Sequence, residues 1–313
     1  MDSFGMPATA SPAEPYCPLR PGVMVLRHRQ RQWTQALAAA ACKGPSLQPI
    51  ARRLRDLGGE ENALWLRANA GPDLQPLDDL EWVINMRLRL DLQQGETCLC
   101  QHRRAAIGGI EGKRCLEPLD PFGIHALQCM IGGARTTLHN SLCRIVHTAC
   151  VSAGLRAQRE VVVPALATAK LTEPRVDVDA WGHPGLPHLR LDVTVTDPLA
   201  ERHKAAAAAE EHGAADHAED GKAKKYGKPR GGVGVKGLGL ELTGRLGECF
   251  AALLRQLAGL ARAGRAALGQ ESTRFLAHWQ CQISIALARF SAAAISAAYK
   301  EPVWSIHCTA ATV

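Results

Sequence analysis

With 313 residues, 46% hydrophobic and 21% charged, the chain is long enough for one large or two modest domains and too apolar to be disordered. Aromatics make up only 4%, so the predicted core is aliphatic and largely helical. The net charge of +7 is modest, but residues 222–236 hold six cations (Lys222, Lys224, Lys225, Lys228, Arg230 and Lys236) and no acid. Such a cluster points to a polyanion held by its phosphates or, more commonly, to a solubilising loop. Eleven cysteines, an odd number, and an acidic N-terminus without a hydrophobic stretch predict a reducing intracellular compartment. No window reads as apolar enough to span a bilayer, because Arg289 interrupts residues 283–299.

In chain order, residues 1–24 hold several prolines and read as a loose tail. A helical region covers 25–95, with Ile50, Leu54 and Leu57 on one face and Gly58-Gly59 as a stop; 80–92 fits a helix. Residues 96–133 are rich in Cys, His, Gly and Pro with no clear period, so something other than a core must hold them. Residues 135–153 read as a helix closed by Gly154. Glu160-Val161-Val162-Val163 reads as a short strand ended by Pro164. Residues 200–226 are predicted as one alanine-rich helix with Gly213 as a tolerated defect. Residues 233–242 read as a last strand weakened by glycines; the run 231–239 by itself is a flexible loop. Helices are expected over 248–268 and 272–299. The prediction is a mixed α/β (α+β) fold: a small mixed sheet flanked by helices, occupying 134–245, with helical extensions at 25–95 and 246–313.

The most informative element is a hairpin. Residues 176–181 and 189–196 each alternate apolar and polar side chains, separated by the turn cluster Gly182-His183-Pro184-Gly185-Leu186-Pro187. Folded about its middle, it sets Trp181 opposite His188, Asp179 opposite Arg190, and Asp177 opposite Asp192. Val176, Val178, Ala180, Leu189, Leu191, Val193 and Val195 share the apolar face. Like charges opposite one another destabilise a sheet unless a shared proton or a cation offsets them. A divalent metal between two carboxylates is the usual requirement for phosphodiester hydrolysis. The alternative is an Asp179–Arg190 surface ion pair beside two solvated aspartates.

Nuclease chemistry of this kind adds a lysine, usually two residues after the second carboxylate. Here that position is Thr194. Lys222, Lys225 and Tyr226 stand at i, i+3 and i+4 on one face of the following helix, which can aim Lys222 at the aspartates. Cys98-x-Cys100 and His125-x-x-x-Cys129 offer a ligand set suited to tetrahedral zinc, with Cys115 as a competing ligand and unconnected buried cysteines as the alternative. His139-Asn140 opens a helix, where it caps or touches phosphate. His203, His212 and His217, among Glu210, Glu211 and Asp216, read as a solvated face.

These pieces resemble the C-terminal region of non-LTR retrotransposon proteins that carry a zinc knuckle and a restriction-like endonuclease of the PD-(D/E)XK superfamily. The matching residues run in order: Cys98-x-Cys100, Asp120-x-x-Gly123-x-His125-Ala126-Leu127-x-Cys129, Gly132-Gly133, His139-Asn140, Ala153-Gly154, Glu160, Asp177, Asp192-Val193-Thr194-Val195-Thr196 and Lys222-x-x-Lys225-Tyr226. The chain departs in having Pro174 three residues before Asp177 and Leu138 where a basic residue is usual. No Tyr-x-Asp-Asp of a reverse transcriptase occurs. The resemblance implies a restriction-endonuclease-like core and a magnesium-dependent DNA endonuclease. Asp177 and Asp192 then hold magnesium and Lys222 is the displaced catalytic lysine, with Glu160, Thr194, Lys225 and Tyr226 as accessories. Cys98, Cys100, His125 and Cys129 hold zinc in a knuckle at 96–133. His139, Asn140, Lys224, Lys228 and Arg230 contact nucleic acid, DNA first and RNA as the alternative. A nuclear location follows from that substrate alone, and no membrane is implied. Two rivals stand beside this reading: a catalytically inactive nucleic-acid-binding remnant, and a helical interaction protein.

Overall fold

A hairpin and a parallel strand, joined by helices that cross the sheet, set the architecture. The computed structural model describes residues 64, 75–90, 92–104, 112–167, 172–184, 186–209, 212–227, 233–267 and 274–299. The expectations for 1–24 and for most of 25–74, and the cations Lys228 and Arg230, lie outside the described residues. Among these there are helix α1 (Asp79–Arg89), a short α2 (Ile124–Gln128) and α3 (Ala134–Ser152). Strand β1 (Arg156–Val162), β2 (Arg175–Trp181) and β3 (Leu189–Thr196) follow, then α4 (Glu201–Ala209), α5 (Gly213–Tyr226), β4 (Val235–Glu241), α6 (Glu248–Ala267) and α7 (Phe275–Ala298).

The four strands lie in the order β1-β2-β3-β4, antiparallel up to β3 and parallel between β3 and β4. This is the small mixed sheet flanked by helices expected from the alternation of patterns. Asp179 pairs with Arg190 in register, as the folded hairpin requires. Their side chains part, however: Asp179 lies 2.7 Å from His188, while Arg190 donates to the Val233 carbonyl. The Asp179–Arg190 ion pair of the alternative reading is therefore not formed, and Asp179 contacts His188 instead.

Period-two alternation gives the two sheet faces different tasks. Val178, Leu191, Val193, Leu238 and Leu240 join the main core under α3, α6 and α7, through Leu142, Val146, Phe250, Leu254 and Phe290. Val176 departs from the predicted apolar face and packs instead with Val163, Leu166, Tyr226 and Val235. The change coincides with Glu160, which has φ +55°. The β1–β2 ladder pairs Arg159 with Val178 and Val161 with Val176, and skips the Glu160–Asp177 step between them. A left-handed backbone at a residue with a Cβ costs about 1 kcal/mol or more.

On the other face α5 presses onto β4, and the glycines that weakened its strand reading are what permit this. A Cβ at Gly239 meets the Ala215 carbonyl oxygen at 2.3 Å, and one at Gly237 meets the Glu219 backbone at 2.9 Å. Because the obstacle at Gly239 is helix backbone, Gly239→Ala is expected to destabilise the fold by about 2–4 kcal/mol, read as a lowered urea midpoint; an unchanged midpoint argues against the close approach.

The predicted single helix over 200–226 is two helices. His212 takes φ +68°, and a Cβ at Gly213 meets the Ala206 carbonyl oxygen at 2.1 Å, so Gly213 marks a reversal and not a defect. The solvated histidine face is also revised: His203 is buried and accepts from the Arg202 Nε at 2.9 Å. Helix α7 is long and apolar enough to cross a membrane, against the expectation that no window qualifies. Two-thirds of its most apolar window (67%) is buried inside the fold, and Arg289 reaches the Gln75 carbonyl at its side without breaking the helix.

Glu219 on α5 holds these layers together. Its carboxylate accepts from the backbone N–H of Gly239 (2.8 Å), Cys249 (2.9 Å) and Phe250 (3.1 Å), supplying the start of α6 with acceptors from another helix. Burial pushes its carboxyl above the ordinary 4.5, and these three donors offset only part of that shift. With the folded value raised, its contribution is complete below the ordinary value and is lost as pH rises through the raised one. Glu219→Gln, which does not titrate, is thus expected to trail the native chain by more near pH 4.5 than near pH 7 in urea melts. A gap that widens toward neutral pH contradicts this.

Candidate functional site

Asp177 on β2 and Asp192 on β3 stand opposite each other, one step beyond the last regular pair, Val178–Leu191. Both are buried, Asp192 to 3% exposure, so the alternative of solvated aspartates does not describe them. There the side chain replaces the ladder: Asp177 Oδ2 accepts the Val193 N–H at 2.6 Å.

Cations converge on the pair. Lys222 donates to Asp192 Oδ1 at 2.6 Å, and Tyr226 donates to Asp192 Oδ2. The Tyr226 oxygen also lies 2.8 Å from the Arg175 carbonyl and accepts from Lys225 at 3.0 Å. Lys225 Nζ is 3.7 Å from Asp192 Oδ2 on a half-exposed side chain, where a pair is worth little. Helical spacing explains the convergence, since residues three and four apart share a face and that face covers β3. Burial, then the Asp192 carboxylate, push the Tyr226 phenol far above its ordinary range, so it acts as a neutral donor.

His139 reaches Asp177 from α3, with Nε2 3.3 Å from Oδ1. It does not open that helix, which starts at Ala134, so it lies in the second turn and caps nothing. The hydrogen bond to Asp177 raises the imidazole pKa, against burial, which lowers it. For Asp177, burial opposes ionisation, but His139 and the Val193 N–H outweigh it and hold the carboxyl below its usual value. Cys143, one turn along α3, places its sulfur 3.5 Å from His139 Nε2. Sequence reading missed Cys143, although His139-x-x-x-Cys143 repeats the spacing of His125-x-x-x-Cys129.

The other predicted residues fall outside this cluster. Glu160 pairs with Arg175 at 3.7 Å on a half-exposed side chain. Thr194 sits on β3 opposite Gly239. Asn140 and Lys224 are exposed. Lys222 and Lys225 are engaged with Asp192, so the basic stretch is not a uniform solvent-facing patch.

A second constellation lies in the irregular module. Asp120 folds its own chain back: Oδ1 accepts from Phe122 and Ile124, and Oδ2 from His125. Gly123, at φ +81°, makes that turn against Ile295 and Gln94. The result is α2, which carries His125 and leads into Cys129. An antiparallel ribbon marked by the Leu99–Pro118 and Arg103–Arg114 bridges brings Cys100 and Cys115 to the same place. The ligand atoms of Cys100, Cys115, His125 and Cys129 all lie within 4.8 Å of one another.

This grouping differs from the predicted set: it includes Cys115, the competing ligand, and not Cys98. The ribbon places Cys115 on the strand across from Cys100, and the group of mutually close ligand atoms leaves out Cys98. Tetrahedral zinc sets ligand atoms roughly 3.5–3.8 Å apart. Here Cys115 Sγ to His125 Nε2 is 3.4 Å and Cys100 Sγ to Cys129 Sγ is 3.9 Å. Burial pushes the Cys100 thiol up to about 12, so a divalent cation is what makes a thiolate favourable there. The donor set fits zinc.

No protein-family model matches the chain, and no curated protein matches it, so its own geometry carries the functional reading.

Proposed function

We propose that this chain is a magnesium-dependent DNA endonuclease with a restriction-endonuclease-like core and a zinc knuckle, of the retrotransposon-derived kind its motifs resemble. The observation that supports it is that Asp177 and Asp192, both buried, stand opposite each other on β2 and β3, with Lys222 of α5 on Asp192. Asp177 and Asp192 are the residues that hold magnesium, which when bound polarises the scissile phosphate and activates water. Asp177 is oriented by the Val193 N–H on Oδ2, and its Oδ1 lies 3.3 Å from His139 Nε2. Lys222 supplies positive charge beside the reacting phosphate, and Tyr226 holds Asp192 in place.

Lys224, Lys228 and Arg230 bind backbone phosphates without reading sequence. Zinc on Cys100, Cys115, His125 and Cys129 supplies structural cross-linking to the knuckle, which contacts DNA or RNA. A nuclear location follows from that substrate.

The test is nicking of supercoiled plasmid by the intact chain with magnesium, against a chelator control. Conversion to open circle only with magnesium supports the reading; its absence in the folded protein retires it. The second reading, an inactive nucleic-acid-binding remnant, is favoured by one observation. Both oxygens of Asp192 already have partners, Lys222 and Tyr226, as in a purely structural charge cluster. Steeply salt-dependent DNA binding without nicking then identifies the remnant.

A further inference from the structure

We propose that His139, Cys143 and Asp177 form a second binding site for a borderline-soft divalent ion of the zinc class, separate from the knuckle. The three ligand atoms lie within 4.8 Å of one another. His139 Nε2 stands at the centre, 3.3 Å from Asp177 Oδ1 and 3.5 Å from Cys143 Sγ. Tetrahedral zinc with bonds of about 2.0–2.3 Å calls for edges of roughly 3.3–3.6 Å between oxygen, nitrogen and sulfur ligands.

Three features make this more than a coincidence of polar groups. His139 and Cys143 are one turn apart on the long helix α3, so a rigid element presents both donors on one face. The same His-x-x-x-Cys spacing presents His125 and Cys129 in the knuckle. Asp177 is held through Oδ2 by the Val193 N–H, the kind of outer contact that orients a ligating carboxylate and leaves its other oxygen for an ion.

The chemistry distinguishes this site from the magnesium pair, with which it shares Asp177. A thiol and an imidazole are poor ligands for magnesium, which prefers oxygen, and good ones for zinc. Three protein ligands leave a fourth position open. Zinc binding here stands whether or not the chain cleaves DNA, since it needs no turnover.

The experiment is metal stoichiometry on the full chain, stripped by chelator and dialysed against excess zinc. The comparison is among the native chain, Cys143→Ser, His139→Gln and Cys115→Ser, with circular dichroism confirming that the helices and sheet outside the irregular module stay folded in each. Each of Cys143→Ser and His139→Gln is expected to lower bound zinc by one ion per chain relative to native. Cys115→Ser keeps the ion that those two lose. Cobalt in the Cys115→Ser chain is expected to show a thiolate charge-transfer band that the added Cys143→Ser change removes. Zinc content unchanged in both Cys143→Ser and His139→Gln overturns the site. If Cys143→Ser fails to fold, the partly exposed His139→Gln decides by the same count. Failure of plasmid nicking leaves this count unaffected, so the two readings are lost separately.

Discussion

On the proposed nuclease function, Asp192→Asn is expected to lower magnesium-dependent nicking about a hundred- to a thousandfold while leaving the chain folded. The substitution keeps shape and one acceptor oxygen but removes the charge that faces Lys222 and Tyr226. Lys222 is only 23% exposed on its side chain, so losing its partner costs about 1–3 kcal/mol, small enough for thermal denaturation to show an intact transition. Lys222→Met separates chemistry from architecture. On the nuclease reading it lowers nicking and leaves DNA binding nearly unchanged. On the remnant reading it alters only stability. Full nicking by folded Asp192→Asn would falsify the assignment of Asp192.

Cys115→Ser is expected to abolish zinc binding in the irregular module and to unfold it, whereas Cys98→Ser leaves both intact. The expected effect is large, because a structural zinc contributes roughly 10–16 kcal/mol to small zinc-folded peptides. Among its described residues the module buries only Cys100, Leu119, Ala126 and Cys129 in a small cluster with Ile295 and Tyr299, on α7 and just after it. Limited proteolysis between residues 98 and 133, with and without chelator, reads the effect directly. Protection lost in Cys98→Ser and kept in Cys115→Ser reverses the ligand choice.

Much of the frame was legible because it depends on short-range pattern. Two alternating runs around a glycine- and proline-rich turn specify the hairpin and the Asp179–Arg190 register. The spacing of Lys222, Lys225 and Tyr226 brings all three to one helical face, and the structure puts that face over Asp192. Asp78 and Glu81 cap α1 reciprocally, a signal within four residues that the sequence reading did not use.

What only the tertiary structure decided concerns partners far apart in the chain. Cys98 and Cys115 are equally plausible by spacing, and the cross-strand ribbon selects Cys115. Glu219 looks like one more acid on a polar helix until β4 and the start of α6 close around it. Cys143 gains meaning only when α3 lies beside Asp177. Periodicity records which way a side chain points within its own element. Which distant atom it then meets is set by how elements stack, and that depends on the packing of the whole chain at once.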